Sequence, residues 1–312
     1  VTATGSGANA TVTIPGFGSD AQGNLVAGTG AGAARDADTC FNTLIGSTAG
    51  AALNSGDYNV FIGCDAGGLA TSGEDNIALG RGAMSGQALT GAGNVAIGLA
   101  AGKKLTDGEY NIHIGVAAGR CSISGDYNVT LGYYAGGGTG NFTGNDNILI
   151  GESTGCKITT GSDNIALGKC SMGTGVVTGN CNIAFGKESG KDITSGSRNI
   201  LIGLQSGENL TTGGNNIYMG AFAGGDKTTG DYNIALGLSA GKANEGSCNV
   251  FAGKYAGRDN TTGNYNVFLG LDAGKTVTTG SDNIALGQLS MGAGTVTGAA
   301  NIALGKESAK SL

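Results

Sequence analysis

Asn164-Ile165-Ala166-Leu167-Gly168, with Thr160-Gly161-Ser162-Asp163 before it, decides the fold, because the same nine residues return unchanged at Thr279 to Gly287. The pentad and its variants recur throughout. Its asparagine stands at 42, 59, 76, 94, 111, 128, 147, 164, 182, 199, 216, 233, 249, 266, 283 and 301, with a glycine four residues after each one. The spacing is 17 in most steps and 16 to 19 in the rest. A fixed period of this kind marks a repeat architecture. Below, residues are placed by their offset from the asparagine, which is position 0.

Each pentad alternates. Positions +1 and +3 are almost all Ile, Val, Leu, Met or Phe, and they share one face of a strand. They are the expected core. The glycine at +4 permits a sharp corner. Small residues follow at +7, such as Ala66, Ala118, Ser206 and Ala273, and then Thr-Thr-Gly or a relative leads to the next asparagine. A 17-residue unit is too short for a helical hairpin and suits one coil with two or three short strands. The chain is therefore predicted to be all-β, a parallel β-solenoid of about sixteen coils over residues 39–312. Residues 1–38 form an N-terminal arm or cap. At about 4.8 Å per coil, sixteen coils predict a rod on the order of 75 Å. The asparagines in register predict a buried amide ladder along it, from Asn59, Asn76, Asn94, Asn111, Asn128, Asn147, Asn164 and Asn182 to Asn199, Asn216, Asn233, Asn249, Asn266, Asn283 and Asn301.

Composition agrees. Glycine is 64 of 312 residues while proline occurs once, which excludes collagen. Charged residues are 13% and apolar residues 39%, too apolar for a disordered chain. The net charge of −6 gives no electrostatic support to nucleic-acid binding. No apolar run reaches the roughly 18 residues that a membrane-spanning helix needs, so no membrane insertion is expected.

Position +2 carries no charge in any of the sixteen units. If +1 and +3 face inward, +2 faces outward, and an uncharged outward stripe predicts a covered surface. Phe61, Leu149, Leu201, Tyr218, Phe251 and Phe268 are its candidate interface residues. In the arm, Ala10 to Ile14 alternates like a strand that Pro15-Gly16 ends, so Val12 and Ile14 are candidates for an assembly strand added to a neighbouring subunit. Open solenoid ends expose strand edges, and end-to-end stacking that does not close builds a filament.

Units such as Thr229 to Gly241 resemble the tandem repeats of phage tail-fibre-like and bacterial surface fibre proteins, which often end in an endosialidase-type chaperone domain. More loosely, they resemble the β-roll heads of trimeric autotransporter adhesins. The resemblance covers about residues 39 to 309. It implies an extracellular fibre, cell-surface appendage or virion fibre, often trimeric.

Catalytic chemistry finds little purchase. His113, the one histidine, stands at +2 and reads as a surface or interface residue. Gly28-Thr29-Gly30-Ala31-Gly32 lacks the helix and later acid of a dinucleotide loop. Asp57, Asp126, Asp163, Asp231 and Asp282 precede ladder asparagines and read as turn residues, without the nonapeptide spacing of a calcium β-roll. The seven cysteines include no C-x-x-C pair and read as small fillers. No catalytic, metal or cofactor site is expected. Acceptor sequons for a glycan stand at Asn9, Asn141, Asn209 and Asn260. The expected role is a structural subunit that self-assembles into an extracellular filament through its ends or its N-terminal strand. The alternatives are a trimeric, receptor-binding tail-fibre or adhesin shaft, and an ice-binding solenoid whose Thr-Thr pairs order water.

Overall fold

A computed structural model describes residues 2–4, 11–13, 18–226, 229–294 and 296–310, the first two segments by backbone alone. The chain divides into two compact units, Val1–Asp146 and Asn147–Leu312. Both are parallel β-solenoids, and no helix occurs among the described residues.

In the first unit, β1 (Thr2–Thr4) pairs antiparallel with β2 (Thr11–Thr13), Val12 opposite Ala3. The candidate assembly strand is thus one arm of a hairpin; Ile14 lies outside the described residues. A short strand, β3 (Gly18–Ser19), pairs antiparallel with β4 (Leu25–Ala27). From β4 to β10 (Val129–Leu131), seven strands stack in parallel. The solenoid begins before the expected boundary at residue 39. Asn24 is already in the ladder, its Oδ1 accepting from the backbone N and Nδ2 of Asn42 at 2.8 and 3.0 Å. In the second unit, ten parallel strands run from β11 (Ile148–Ile150) to β20 (Ile302–Leu304). Each coil contributes one three-residue strand. Further pairing is confined to isolated bridges such as Ile158 to Val177.

The asparagine ladder is present, buried at every position from Asn24 to Asn283 and part-buried at Asn301. Asn199 shows its construction. Its Nδ2 donates to Asn182 Oδ1 at 3.0 Å and to the Gly213 carbonyl at 2.9 Å, and its Oδ1 accepts from the N and Nδ2 of Asn216, both at 3.0 Å. The side chains at position 0 therefore point into the coil. Strand alternation then sends +2 inward with them and turns +1 and +3 outward.

This reverses the sidedness expected from residue size. Leu44, Phe61, Leu149, Leu201, Phe251 and Phe268 are fully buried, Tyr218 nearly so, and every strand from Thr43–Ile45 to Ile302–Leu304 shows a buried centre between two more exposed residues. The stripe is uncharged because it is the core. Position +7 completes that core with Ala, Ser or, in one coil, Thr154. The buried serines donate to the +2 carbonyl of the next coil, as Ser189 does to Leu201 and Ser206 to Tyr218, both at 2.8 Å. A third inward position follows at the far corner, filled by residues such as Leu53, Leu105, Ile193 and Val277.

The interior is narrow, and volumes trade across it. At +8 most coils have glycine, against which a large +2 side chain packs. A Cβ on Gly257 would lie 2.5 Å from the Phe251 ring. Where +8 is instead Met84, Met172 or Met291, all fully buried, +2 of the same coil is Ala78, Ala166 or Ala285. The corner at +4 needs glycine on two counts. Gly203 has φ of 132°, and a Cβ there would lie 2.7 Å from the Gly220 carbonyl of the next coil.

Candidate assembly face

With +2 inside, the outer face of each sheet is formed by +1 and +3. At +1 stand fifteen Ile or Val residues and Thr43; at +3 stand Ile, Leu, Met, Phe or Ala. All are half-buried or exposed. Leu131 is 42% exposed and Met219 42%. β-Branched residues at +1 suit the strand backbone, but they stay half-buried or exposed among the described residues. Isolated exposed apolar residues are ordinary; two unbroken columns are not.

Two rims border this face. At −1 the backbone turns left-handed, with φ between 54° and 60° at each described position other than the glycine. Half a dozen coils place an aromatic side chain there, and the rings lean along the column. Phe41 stacks on Tyr58 at 5.2 Å and Tyr110 on Tyr127 at 5.3 Å. They are exposed, Tyr232 to 62%. An aromatic residue with positive φ is strained relative to Asn or Gly. Beyond the +4 corner, the rim at +5 mixes Leu99, Val116, Leu238 and Leu271 with Arg81, Lys169, Lys187 and Lys254.

The residues singled out in the sequence take other places. His113 is in the core, with Nδ1 2.9 Å from Thr130 Oγ1 and Nε2 unpartnered. Burial alone lowers its pKa to about 4, so it is neutral at pH 7. It is a core residue and not the surface or interface residue expected. Gly28, Gly30 and Gly32 are left-handed turn residues of the first coil.

The residues before the turns form a second ladder, at −2, where side-chain oxygens cap the backbone of the preceding coil. Asp57 accepts from Cys40 N at 2.7 Å, Asp231 from Gly214 N at 2.7 Å and Asn264 from Ser247 N at 2.7 Å. Asp163 and Asp282 instead occupy −1. Among the described residues, no three His, Cys, Asp or Glu side chains group as a metal site. In the Thr261-Thr262 pair the leading threonine directs its hydroxyl to the next coil's carbonyl, Thr278, at 3.1 Å, as Thr194 of the equivalent Thr-Ser pair does to Thr211, also at 3.1 Å.

Cys121 is buried, Cys40, Cys156, Cys170 and Cys248 are intermediate, and Cys64 and Cys181 are exposed; none of these is in a disulfide. Of the sequons, Asn260 is fully buried with its Oδ1 accepting from Gly263 N at 3.0 Å, which closes it to a glycan. Asn209 donates to the Gly225 carbonyl at 2.9 Å, Asn141 is exposed, and Asn9 lies outside the described residues. No helix among the described residues is long and apolar enough to cross a membrane.

The chain matches no protein-family model, no curated protein and no solved structure.

Sequence reasoning missed this face because +1 and +3 had been assigned to the core. The signal that finds it is parity: the asparagine and +2 share a side, so a buried ladder forces +1 and +3 out.

Proposed function

We propose that this chain is a structural subunit of a multichain fibre, and that copies associate side by side through the +1/+3 face. The fibre's extracellular setting, on a cell surface or a virion, is what the repeat resemblance implies. One observation carries the assembly reading: two outward columns without a single charged residue in sixteen coils. A solvated strand face normally alternates apolar inside with polar outside.

In the second unit alone, ten coils at about 4.8 Å and a width of about 15 Å give a strip on the order of 700 Å². Monomers rarely expose a contiguous apolar patch above about 300–600 Å², and each partner in a standard interface buries about 800 Å². At about 25 cal/mol per Å², covering such a strip contributes roughly 17 kcal/mol per copy. Association costs about 4–15 kcal/mol, so the gain is sufficient. The experiment is negative-stain electron microscopy with sedimentation equilibrium in parallel. The proposal expects multichain particles or filaments. Single-chain particles at the highest attainable concentration would reject it.

A further inference from the structure

The first coil has no coil before it. In the parallel stack, N–H groups at even offsets point back to the preceding coil, as Gly46 N does to the Ala27 carbonyl and Asn42 N to Asn24 Oδ1, both at 2.8 Å. In the coil of Asn24, strand alternation therefore turns the N–H groups of Asn24 and Val26 away from the stack. An open edge of this kind is a template on which another chain can pair.

Three features close it. Asp20 takes the part of a preceding ladder asparagine. Its Oδ1 accepts from Asn24 N at 2.8 Å, its Oδ2 accepts from Asn24 Nδ2 at 3.1 Å, and its own N donates to the Asn24 carbonyl at 3.0 Å. Next to it, β3 lies antiparallel on β4 with Gly18 opposite Val26, so the strand edge is already paired. Finally, Arg35 occupies +11, where other coils bury Leu53, Leu105 or Ile193. Its Nη1 donates to the Ala31 and Gly32 carbonyls at 3.3 and 2.7 Å, and its Nε lies 3.5 Å from Asp20 Oδ2. A charge at an inward position is one of the ways a sheet edge is kept from pairing. A second chain stacked on this end would have to bury both the guanidinium and the carboxylate.

We propose that residues 18–35 are an autoinhibitory cap that holds the β4 edge closed against a second copy of this chain. The hidden surface is the backward edge of Leu25–Ala27, and its fitting partner is the same edge of another copy. β3 supplies the geometry, because it pairs antiparallel, as two copies of one edge would. Such a contact is self-complementary and closes at two chains. With the cap in place, edge pairing through this end is blocked. The cap belongs to the first coil alone and is independent of the side-by-side reading.

The test opens the cap in the full chain with Gly18→Pro and Asp20→Ala, which remove a β3 donor and the ladder stand-in. Hydrogen exchange of the segment 24–28 and sedimentation equilibrium are followed over a range of concentrations, with circular dichroism to check folding. The wild-type segment should be protected at every concentration. In the opened variant it should exchange at least about tenfold faster at the lowest concentration. Protection should return as concentration rises, while the mass doubles relative to the wild type. A wild-type segment that exchanges as fast as an open loop overturns the cap. An opened variant that keeps the wild-type mass at every concentration overturns the edge pairing.

Discussion

Replacing Asn199 by alanine removes one rung from the middle of the second unit's ladder. Four hydrogen bonds go with it, two donated by Nδ2 and two accepted by Oδ1. Each is worth about 1 kcal/mol net, and a buried donor left without an acceptor costs a further 1–3 kcal/mol. Here the orphan is the backbone N–H of Asn216, whose acceptor was Asn199 Oδ1. The expected loss is about 5 kcal/mol, a large share of the 5–15 kcal/mol that holds a typical domain. Urea unfolding followed by far-ultraviolet circular dichroism measures it as a fall in midpoint of about 2–4 M at an ordinary slope. The control is Asn209→Ala, which removes one part-buried bond to Gly225 and should cost about 1 kcal/mol or less. If the two variants lose similar, small amounts of stability, the ladder asparagines are ordinary turn residues and the reasoning fails.

Other perturbations test other parts of the coil. Met172→Ala should cost about 2–5 kcal/mol by opening a cavity, and Ala166→Leu about 1–3 kcal/mol by overpacking; combining Ala166→Leu with Met172→Gly should recover much of the loss, because it copies the coil of Leu149 and Gly155. Gly203→Ala should cost several kcal/mol, since its Cβ would press on the Gly220 carbonyl at a φ that alanine rarely adopts. His113 contributes a pH dependence of known sign. Its folded pKa is about 4 against an ordinary 6.5, so the unfolded chain binds the extra proton between those values. Stability is full above pH 6.5 and falls by about 3 kcal/mol as pH drops to 4. His113→Leu should flatten that part of the difference when the two proteins are compared across the range by urea titration.

The period and the ladder were legible because both rest on sequence spacing alone. A buried amide stack requires one asparagine per coil in register, and the residues show it. Sidedness was not legible from size. Ile and Leu at +1 and +3 look like a core, and Ala166 or Ala285 at +2 looks like a surface. Yet a 17-residue coil holds little, and one inward residue per strand fills it. The trade of Met172 against Ala166, and of glycine against Phe251, was the sequence signal that +2 and +8 share one small space. The first coil escaped notice because Asn24 follows Asp20-Ala21-Gln22-Gly23 in place of the usual Thr-Gly corner. The missing charge at +2 was noticed, but it reflected the interior. The same absence at +1 and +3 is the one on which the proposed assembly face rests.

The most direct test places lysine on either side of the strand. Ile165→Lys, Ile200→Lys and Ile234→Lys together alter the outward +1 column, while Leu201→Lys alters the inward +2 position next to one of them. Sedimentation equilibrium and thermal unfolding are measured on both. The account predicts that the +1 variant keeps the wild-type circular dichroism spectrum and loses association, and that Leu201→Lys loses the fold. A +1 variant that unfolds while Leu201→Lys stays folded would contradict it, and so would a folded +1 variant that associates as tightly as the wild type.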